Sequence, residues 1–316
     1  LGQIIGITAD AGMGKSRLVT EVIRLARQHG LTGFGGECQS YATKTSYHVW
    51  QTIWRGFFHV SGDLAPEEYL PRLEGELAQI DPALLPRLPL LSAVLNLPIP
   101  DNDLTRSFDA KLRKSSLESL LVACLQARAK ERPLLFVLED SHWMDPLSHD
   151  LLEIIGRAMV DLPVLLVLAY RIVEVGGDVP PRVNMLPYFT EITLQEFTPQ
   201  EAERLIQLKL AQLFGPETAV FPTFTTRIIA RAEGNPFYIE ELLNYLQDRH
   251  IHPEEVTALA SLDLPDSLQS LILSRIDQLS EAQKSTLKIA SVIGRLFRAA
   301  LLWGAYPELR ATTPEE

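Results

Sequence analysis

The sequence predicts an α/β fold for residues 1–196, a parallel sheet with helices on both faces, followed by an all-helical remainder to residue 316. Three observations carry this. Near-continuous apolar runs, as in strands buried on both faces, recur at "QIIGITAD" (3–10), "LLFVLED" (134–140) and "PVLLVLAYR" (163–171). Segments of helical period separate them. From Thr198 onward strand patterns stop and helix-capping signals take over.

The elements follow in order. After the first strand, "KSRLVTEVIRLARQHG" sets Leu18, Val22 and Leu25 on one stripe beside Val19, Ile23 and Ala26, and Gly30 stops this helix after Arg27 and His29. "TGFGGECQ" (32–39) reads as the second strand and "SYHVWQTIWRGFF" (46–58) as a helix. Residues 61–105 are rich in leucine and proline without a clear period, which suits an insertion of short helices. A long helix is expected over 107–130, a shorter one over "PLSHDLLEIIGRAMV", and a last strand at "EITL" (191–194). "TPQE" (198–201) offers Thr198 as cap, Pro199 in the first turn and Glu201 as capping-box partner, and "DSLQ" (266–269) and "SEAQ" (280–283) repeat the signal. The helical part is thereby expected as one bundle over 198–250 and another from 264, joined by "RHIHPEEVTALASLD".

Composition narrows the function. A net charge of −11 argues against non-specific nucleic-acid binding by the chain as a whole. The two cysteines, Cys38 and Cys124, are too few for a disulfide framework, and Cys124 falls on the apolar side of a helix with Leu117, Leu120 and Leu121. The most apolar stretch, 84–100, is broken by four prolines and does not form one spanning helix, so a membrane is not expected and a cytoplasmic location is. The start on a buried strand and the end at "ATTPEE" suggest a piece of a longer chain.

Strand, glycine loop and helix meet at "ADAGMGKS" (9–16). In that context the glycines let successive N–H groups turn inward toward phosphate oxygens, and the following helix adds its positive end. Ala11, Gly12, Met13, Gly14, Lys15, Ser16 and Arg17 are the candidate nucleotide-binding residues, with Lys15 for the β- and γ-phosphates and the Ser16 hydroxyl for Mg²⁺. This assigns the α/β part to the P-loop NTPase class. Ala9 stands where such a loop usually has glycine, and a need for that glycine's freedom would cost about 1 kcal/mol. Several charge-assisted phosphate contacts outweigh that.

A phosphate loop needs acids opposite it. Glu139 and Asp140 end a buried strand at the edge facing the loop, so one would hold Mg²⁺ and the other polarise the attacking water. The rival reading is an ordinary solvated strand end. Arg171 ends the next buried strand on the same edge, where its fixed charge and fork suit a γ-phosphate, against the alternative of a surface salt bridge. Asp145, before Pro146, reads as a helix cap rather than a ligand. His142 and Trp143 read first as a loop packing pair and second as nucleotide contacts. Pro236, after Gly-Asn, reads first as a helix start. "HIHPEE" (250–255) has no third spaced ligand and is not expected to bind metal. No Asn-Lys-x-Asp occurs, which disfavours a guanine-specific site.

Taken together, "ADAGMGKSRLV", "LLFVLEDSHWMDPLSHDLL", "VLLVLAYR", "EGNPFYIEEL" and "LPDSLQSLILSRIDQLS" resemble, in this order, the STAND-class AAA-like signalling ATPases fused to class III adenylate or guanylate cyclases, LuxR-type regulators and tetratricopeptide arrays. The resemblance implies a nucleotide-binding domain over 1–196, a small helical lid over 197–255 and the start of a winged-helix-like domain over 262–316. It further implies ATP/ADP exchange as a switch, Lys15 and Ser16 on phosphate and Mg²⁺, Glu139 and Asp140 as the acidic pair, Arg171 as sensor and Pro236 against the adenine; the resemblance does not divide the work between the two acids, and Glu139 is taken with Ser16 as the Mg²⁺ side. The chain departs from that pattern in Glu139, often Asp in the family, in starting after an adenine-seating Gly-Arg-Glu segment, and in having no Met-His-Asp-type histidine. Weakened nucleotide affinity would follow.

Two functions from different classes fit these residues: a slowly hydrolysing ATPase switch within a larger signalling protein, and a scaffold that binds ATP or ADP with little turnover. A DNA-binding regulator fits least, since 281–304 carries no basic recognition helix. The expected partners are output and repeat domains of the same polypeptide, an effector the sequence does not identify, and copies of the chain itself in a nucleotide-dependent association.

Overall fold

In the computed structural model, residues 1–62, 64–171, 182–216, 218, 221–251 and 267–293 are described. Five strands, β1 (Gln3–Thr8), β2 (Thr32–Glu37), β3 (Leu134–Glu139), β4 (Val164–Tyr170) and β5 (Phe189–Thr193), form one parallel sheet in the order β2-β3-β4-β1-β5. The non-sequential order places β4 between β1 and β3. All carboxyl ends consequently share one edge, with the loop strand and the acidic strand two strand widths, about 10 Å, apart. This is the P-loop NTPase α/β arrangement, with helices on both faces.

Alternation sorts the sheet's side chains. Ile4, Leu166, Leu168, Phe136 and Leu138 face one core with α2 (His48–Phe57), α6 (Ala110–Glu131) and α7 (Pro146–Ala158). Ile7, Val137, Val167 and Ala169 face the other, under α1 (Lys15–Gln28). On α1 the buried positions are Val19 and Ala26, with Leu18, Val22 and Ile23 packed beside them. Leu25, expected on the stripe, is 42% exposed because the apolar arc centres one position further on. Gly30, at φ +80, closes the helix, with Leu31 N–H returning to the Ala26 carbonyl at 3.0 Å.

The segment expected as an insertion folds as α3 (Pro66–Ile80), a run of 3-10 turns over Pro82–Leu90, α4 (Leu91–Leu95) and α5 (Asp103–Arg106). It is not a separate lobe. Tyr69, Leu73, Leu77 and Leu91 are buried in the same core as α2 and α6, and Arg128 of α6 bonds Glu76 of α3 at 2.5 Å while stacking over Phe57 of α2. The long helix starts at Ala110 rather than 107, because Asp109 caps it by accepting from Leu112 N–H at 2.7 Å. Cys124 is fully buried there, as its place on the apolar stripe predicts.

The chain divides into two compact units, Leu1–Gln195 and Glu196–Glu316. In the second, α8 (Pro199–Phe214), α9 (Pro222–Ala232) and α10 (Pro236–Asp248) pack around Ile206, Leu210, Phe224, Ile228, Leu242 and Leu246. The Thr198–Glu201 capping box forms, with Thr198 N–H donating to the Glu201 carboxylate at 2.8 Å. The helix Leu268–Asp277 does not open a separate bundle. Leu271 is fully buried in this same core, and Arg275 pairs with Glu241 and Asp248 of α10. Its cap is Ser267 with Ser270, one residue later than the expected pair; Asp266 lies outside the described residues. A last helix spans Glu281–Ile293, and the rest of the expected 262–316 domain, like most of the 249–263 connection with its "HPEE", also falls outside them. Among the described residues no helix is long and apolar enough to cross a membrane.

Candidate nucleotide site

The loop between β1 and α1 has a residue-level cause. Gly12 and Gly14 hold φ +83 and +89, a left-handed backbone that L side chains rarely adopt. Ala9 is fully buried and is not among the positive-φ residues, so alanine meets no conformational penalty there. At Gly14 an added Cβ would meet nothing within 4 Å: its constraint is the backbone, and the space above it is open. Lys15 begins α1 and folds back over the loop, donating from Nζ to the carbonyls of Ala9 at 2.6 Å and Asp10 at 2.8 Å. Ala11, Ser16 and Arg17 are exposed, and Met13 is half-buried.

Three charged groups act electrostatically on this ammonium. Burial is the largest influence on Lys15 and lowers its pKa from 10.5; the positive charge of Arg171 lowers it further, while Asp140 and Asp10 raise it. The structure thereby brings together Lys15, Asp140 and Arg171, which lie up to 156 residues apart in sequence. Arg171 follows β4, the strand next to β1, and is exposed. Glu139 is the last residue of β3 and stands in register with Glu37 of β2, so two carboxylates lie side by side on the edge. The sequence reading missed Glu37. The only signal was its place at the end of "TGFGGE".

Asp140 adopts φ +50, ψ +38, breaking the strand immediately after Glu139 and aiming the next residues into a 3-10 turn, Ser141–Trp143. Aspartate is among the few residues that enter this region readily. Asp145 is the cap its sequence predicts, accepting from Ser148 N–H at 3.0 Å. It is also a buried clamp: its carboxylate accepts from Ser148 Oγ at 2.5 Å and from the N–H groups of Tyr47 and His48 at 3.2 and 3.3 Å, tying the start of α2 to that of α7. The His142 and Trp143 rings pack at 4.9 Å, which fits the packing-pair reading. Cys38 is buried beside Asp145, Asp140 and Glu37; burial above all, then these charges, hold its thiol well above the usual thiol range.

Pro236 lies in the second unit as the first residue of α10. Asn235 caps that helix, accepting from Tyr238 N–H at 3.1 Å. Gly234, at φ +76, lets the turn approach the Phe197 carbonyl, which an added Cβ would meet at 2.7 Å. Each residue of "GNP" thus has a local structural cause.

Residues 2–167 match the AAA ATPase domain family. The chain belongs to that family. The AAA ATPase domain so delimited contains the phosphate loop, Glu139 and Asp140, and stops short of Arg171 and Pro236. Its chain is also similar to an uncharacterized protein of Rhizobium meliloti (strain 1021), 25% identical over 315 residues; it spans 29% of that relative's length. Among solved structures it is similar to the Aeropyrum pernix ORC1 protein in complex with DNA (14% identity, TM-score 0.44, 99% of this chain and 73% of that one). It is also similar to the Thermotoga maritima RuvB Holliday junction branch migration motor (12% identity, TM-score 0.40, 96% and 74%). The DNA and junction in those descriptions belong to those proteins.

Proposed function

We propose that this AAA ATPase domain binds ATP and ADP with Mg²⁺ and hydrolyses ATP slowly, serving as a regulatory switch in a larger signalling protein. The observation that supports it best is the Lys15 ammonium folded over a loop whose Gly12 and Gly14 hold a left-handed backbone, with Asp140 and Arg171 at the carboxyl ends of the neighbouring strands acting on its charge. Those residues fit a polyphosphate. The loop is open at Gly14, and Lys15 bonds two backbone carbonyls that phosphate oxygens would replace. The Ser16 hydroxyl and Glu139 are the groups to hold Mg²⁺, which supplies charge neutralisation when bound. Asp140 takes the proton-accepting role toward water, and Arg171 reads the γ-phosphate. The second unit, with the helix Leu268–Asp277 packed into its core, serves as lid, and the remaining partners are further domains of the same polypeptide, an effector and other copies of the chain, in the cytoplasm.

Calorimetry with ATP, ADP and GTP, with and without Mg²⁺, on the chain and its Lys15→Ala variant tests this. Binding of adenine nucleotides that Lys15→Ala abolishes is the expected result. Absence of any adenine-nucleotide binding overturns it. Binding without turnover above that of Asp140→Asn would convert the switch into a nucleotide-dependent scaffold.

A further inference from the structure

One hydrogen bond in the sheet crosses an intervening strand. The Tyr170 hydroxyl, on β4, donates to Glu191 Oε1, on β5, at 2.6 Å, and β1 lies between them. Gly6 makes the passage. It stands in register with Leu168 on one side and Glu191 on the other, and an added Cβ would come within 2.9 Å of the Tyr170 oxygen and 2.5 Å of the Phe189 ring. Tyr170 is only 7% exposed, and its hydroxyl keeps its proton far above neutral pH, chiefly through burial and then through the bond to Glu191. A buried tyrosine is fixed here by a single directional bond laid over a glycine.

The position of this bond gives it a consequence. Tyr170 is the last residue of β4 and the one before Arg171, whose charge acts on Lys15. Thr8, the last residue before the phosphate loop, is in register with Tyr170 on one side and Thr193 on the other, and its carbonyl accepts from Leu194 N–H at 2.9 Å. Glu191 belongs to β5, the strand after which the chain passes into the second unit at Glu196. We propose that the Tyr170–Glu191 bridge over Gly6 positions Arg171 for the γ-phosphate and makes β5 respond to which nucleotide is bound. This rests on the nucleotide-binding reading above. Tyr170 touches no nucleotide in this scheme: it is a positioning residue that acts through Arg171.

The test uses the full chain and three variants: Tyr170→Phe, which deletes only the hydroxyl, Glu191→Ala, and Glu191→Gln, which keeps an oxygen acceptor. Dissociation constants for ATP and ADP are measured by calorimetry, and amide exchange of β5 is followed with each nucleotide. The expected result is that Tyr170→Phe and Glu191→Ala lower the preference for ATP over ADP by about threefold to tenfold. ADP affinity stays unchanged, Glu191→Gln retains most of the preference, and neither of the first two variants adds to Arg171→Ala. In wild type, ATP protects β5 amides more than ADP does; in Tyr170→Phe the two traces coincide. If ATP and ADP bind wild type and Tyr170→Phe with the same ratio, the bridge is purely structural and the proposal is overturned while the nucleotide site stands. If wild type binds neither nucleotide, both fall together. Should Tyr170→Phe unfold, the comparison of Glu191→Gln with Glu191→Ala carries the same decision.

Discussion

The Lys15 ammonium donates to the carbonyl of Ala9 at 2.6 Å, so the residue that departs from the usual loop pattern contributes through its backbone alone. An alanine carbonyl serves as well as a glycine carbonyl, and Ala9 has no positive φ for glycine to relieve. Ala9→Gly is therefore expected to leave adenine-nucleotide affinity within about twofold and to lower stability by about 1 kcal/mol through added unfolded-state entropy. Gly12→Ala and Gly14→Ala behave oppositely, straining a left-handed backbone by about 1–2 kcal/mol each and weakening binding. Paired denaturation and calorimetry on the three variants would expose an error in either half.

Lys15 makes a prediction about sign. Burial first and Arg171 second lower its pKa from 10.5, while Asp140 opposes them. The folded chain therefore binds fewer protons at this site than the unfolded chain between the lowered value and 10.5. Stability rises with pH across that window, and the site contributes no pH dependence below it. Arg171→Ala should raise the Lys15 midpoint and Asp140→Asn should lower it, as followed by NMR titration of the lysine side chain. Shifts in the same direction would mean that the three groups do not share one field.

Local patterns made part of this molecule legible. The apolar runs of β1, β3 and β4 mark strands because both faces are buried, and "TPQE" marks the start of α8 because its groups bond one another. What the sequence could not disclose is pairing at long range. Nothing in "TGFGGE" says that Glu37 will stand beside Glu139, and nothing in "YR" says that Tyr170 will reach over Gly6. β5 starts at Phe189, two residues before the expected Glu191, because its edge position, exposed at four of five residues, leaves little apolar pattern to read. Residues 61–105 lacked a period since 3-10 turns and proline-bearing helices bury side chains at irregular intervals.

Asp145 accepts from four donors while 3% exposed, and removing it would leave the N–H groups of Tyr47, His48 and Ser148 without that acceptor. Asp145→Ala should destabilise the chain by about 3 kcal/mol or more, from the lost cap and stranded buried donors. Asp145→Asn, which keeps one oxygen, should lose less. Equal urea midpoints for the two variants would contradict the clamp.

Leu271 decides where the helical bundle ends. It is fully buried with Leu242, Leu243 and Leu246 of α10, so Leu271→Ala should cost about 2–5 kcal/mol of the second unit's stability. Leu273, on the same helix and 52% exposed, is the control: its alanine variant should be nearly neutral. If both alter the melting temperature equally, the helix Leu268–Asp277 packs by some other face.

The two acids at the end of β3 differ in backbone as well as in charge, and that difference separates chemistry from structure. Asp140 holds φ +50, a conformation that asparagine also enters readily and alanine does not. Asp140→Asn should keep the turn and ATP binding, leave the melting temperature unmoved, and lower turnover by about a hundredfold, as expected for a lost proton acceptor. Asp140→Ala should lose the same turnover and about 1 kcal/mol of stability besides. Glu139, ending an ordinary strand, carries no such backbone strain; Glu139→Gln should retain the fold and weaken ATP binding only when Mg²⁺ is present. Single-turnover hydrolysis measured beside thermal melts reads all three variants. Loss of turnover in Glu139→Gln with Asp140→Asn fully active would exchange the two roles.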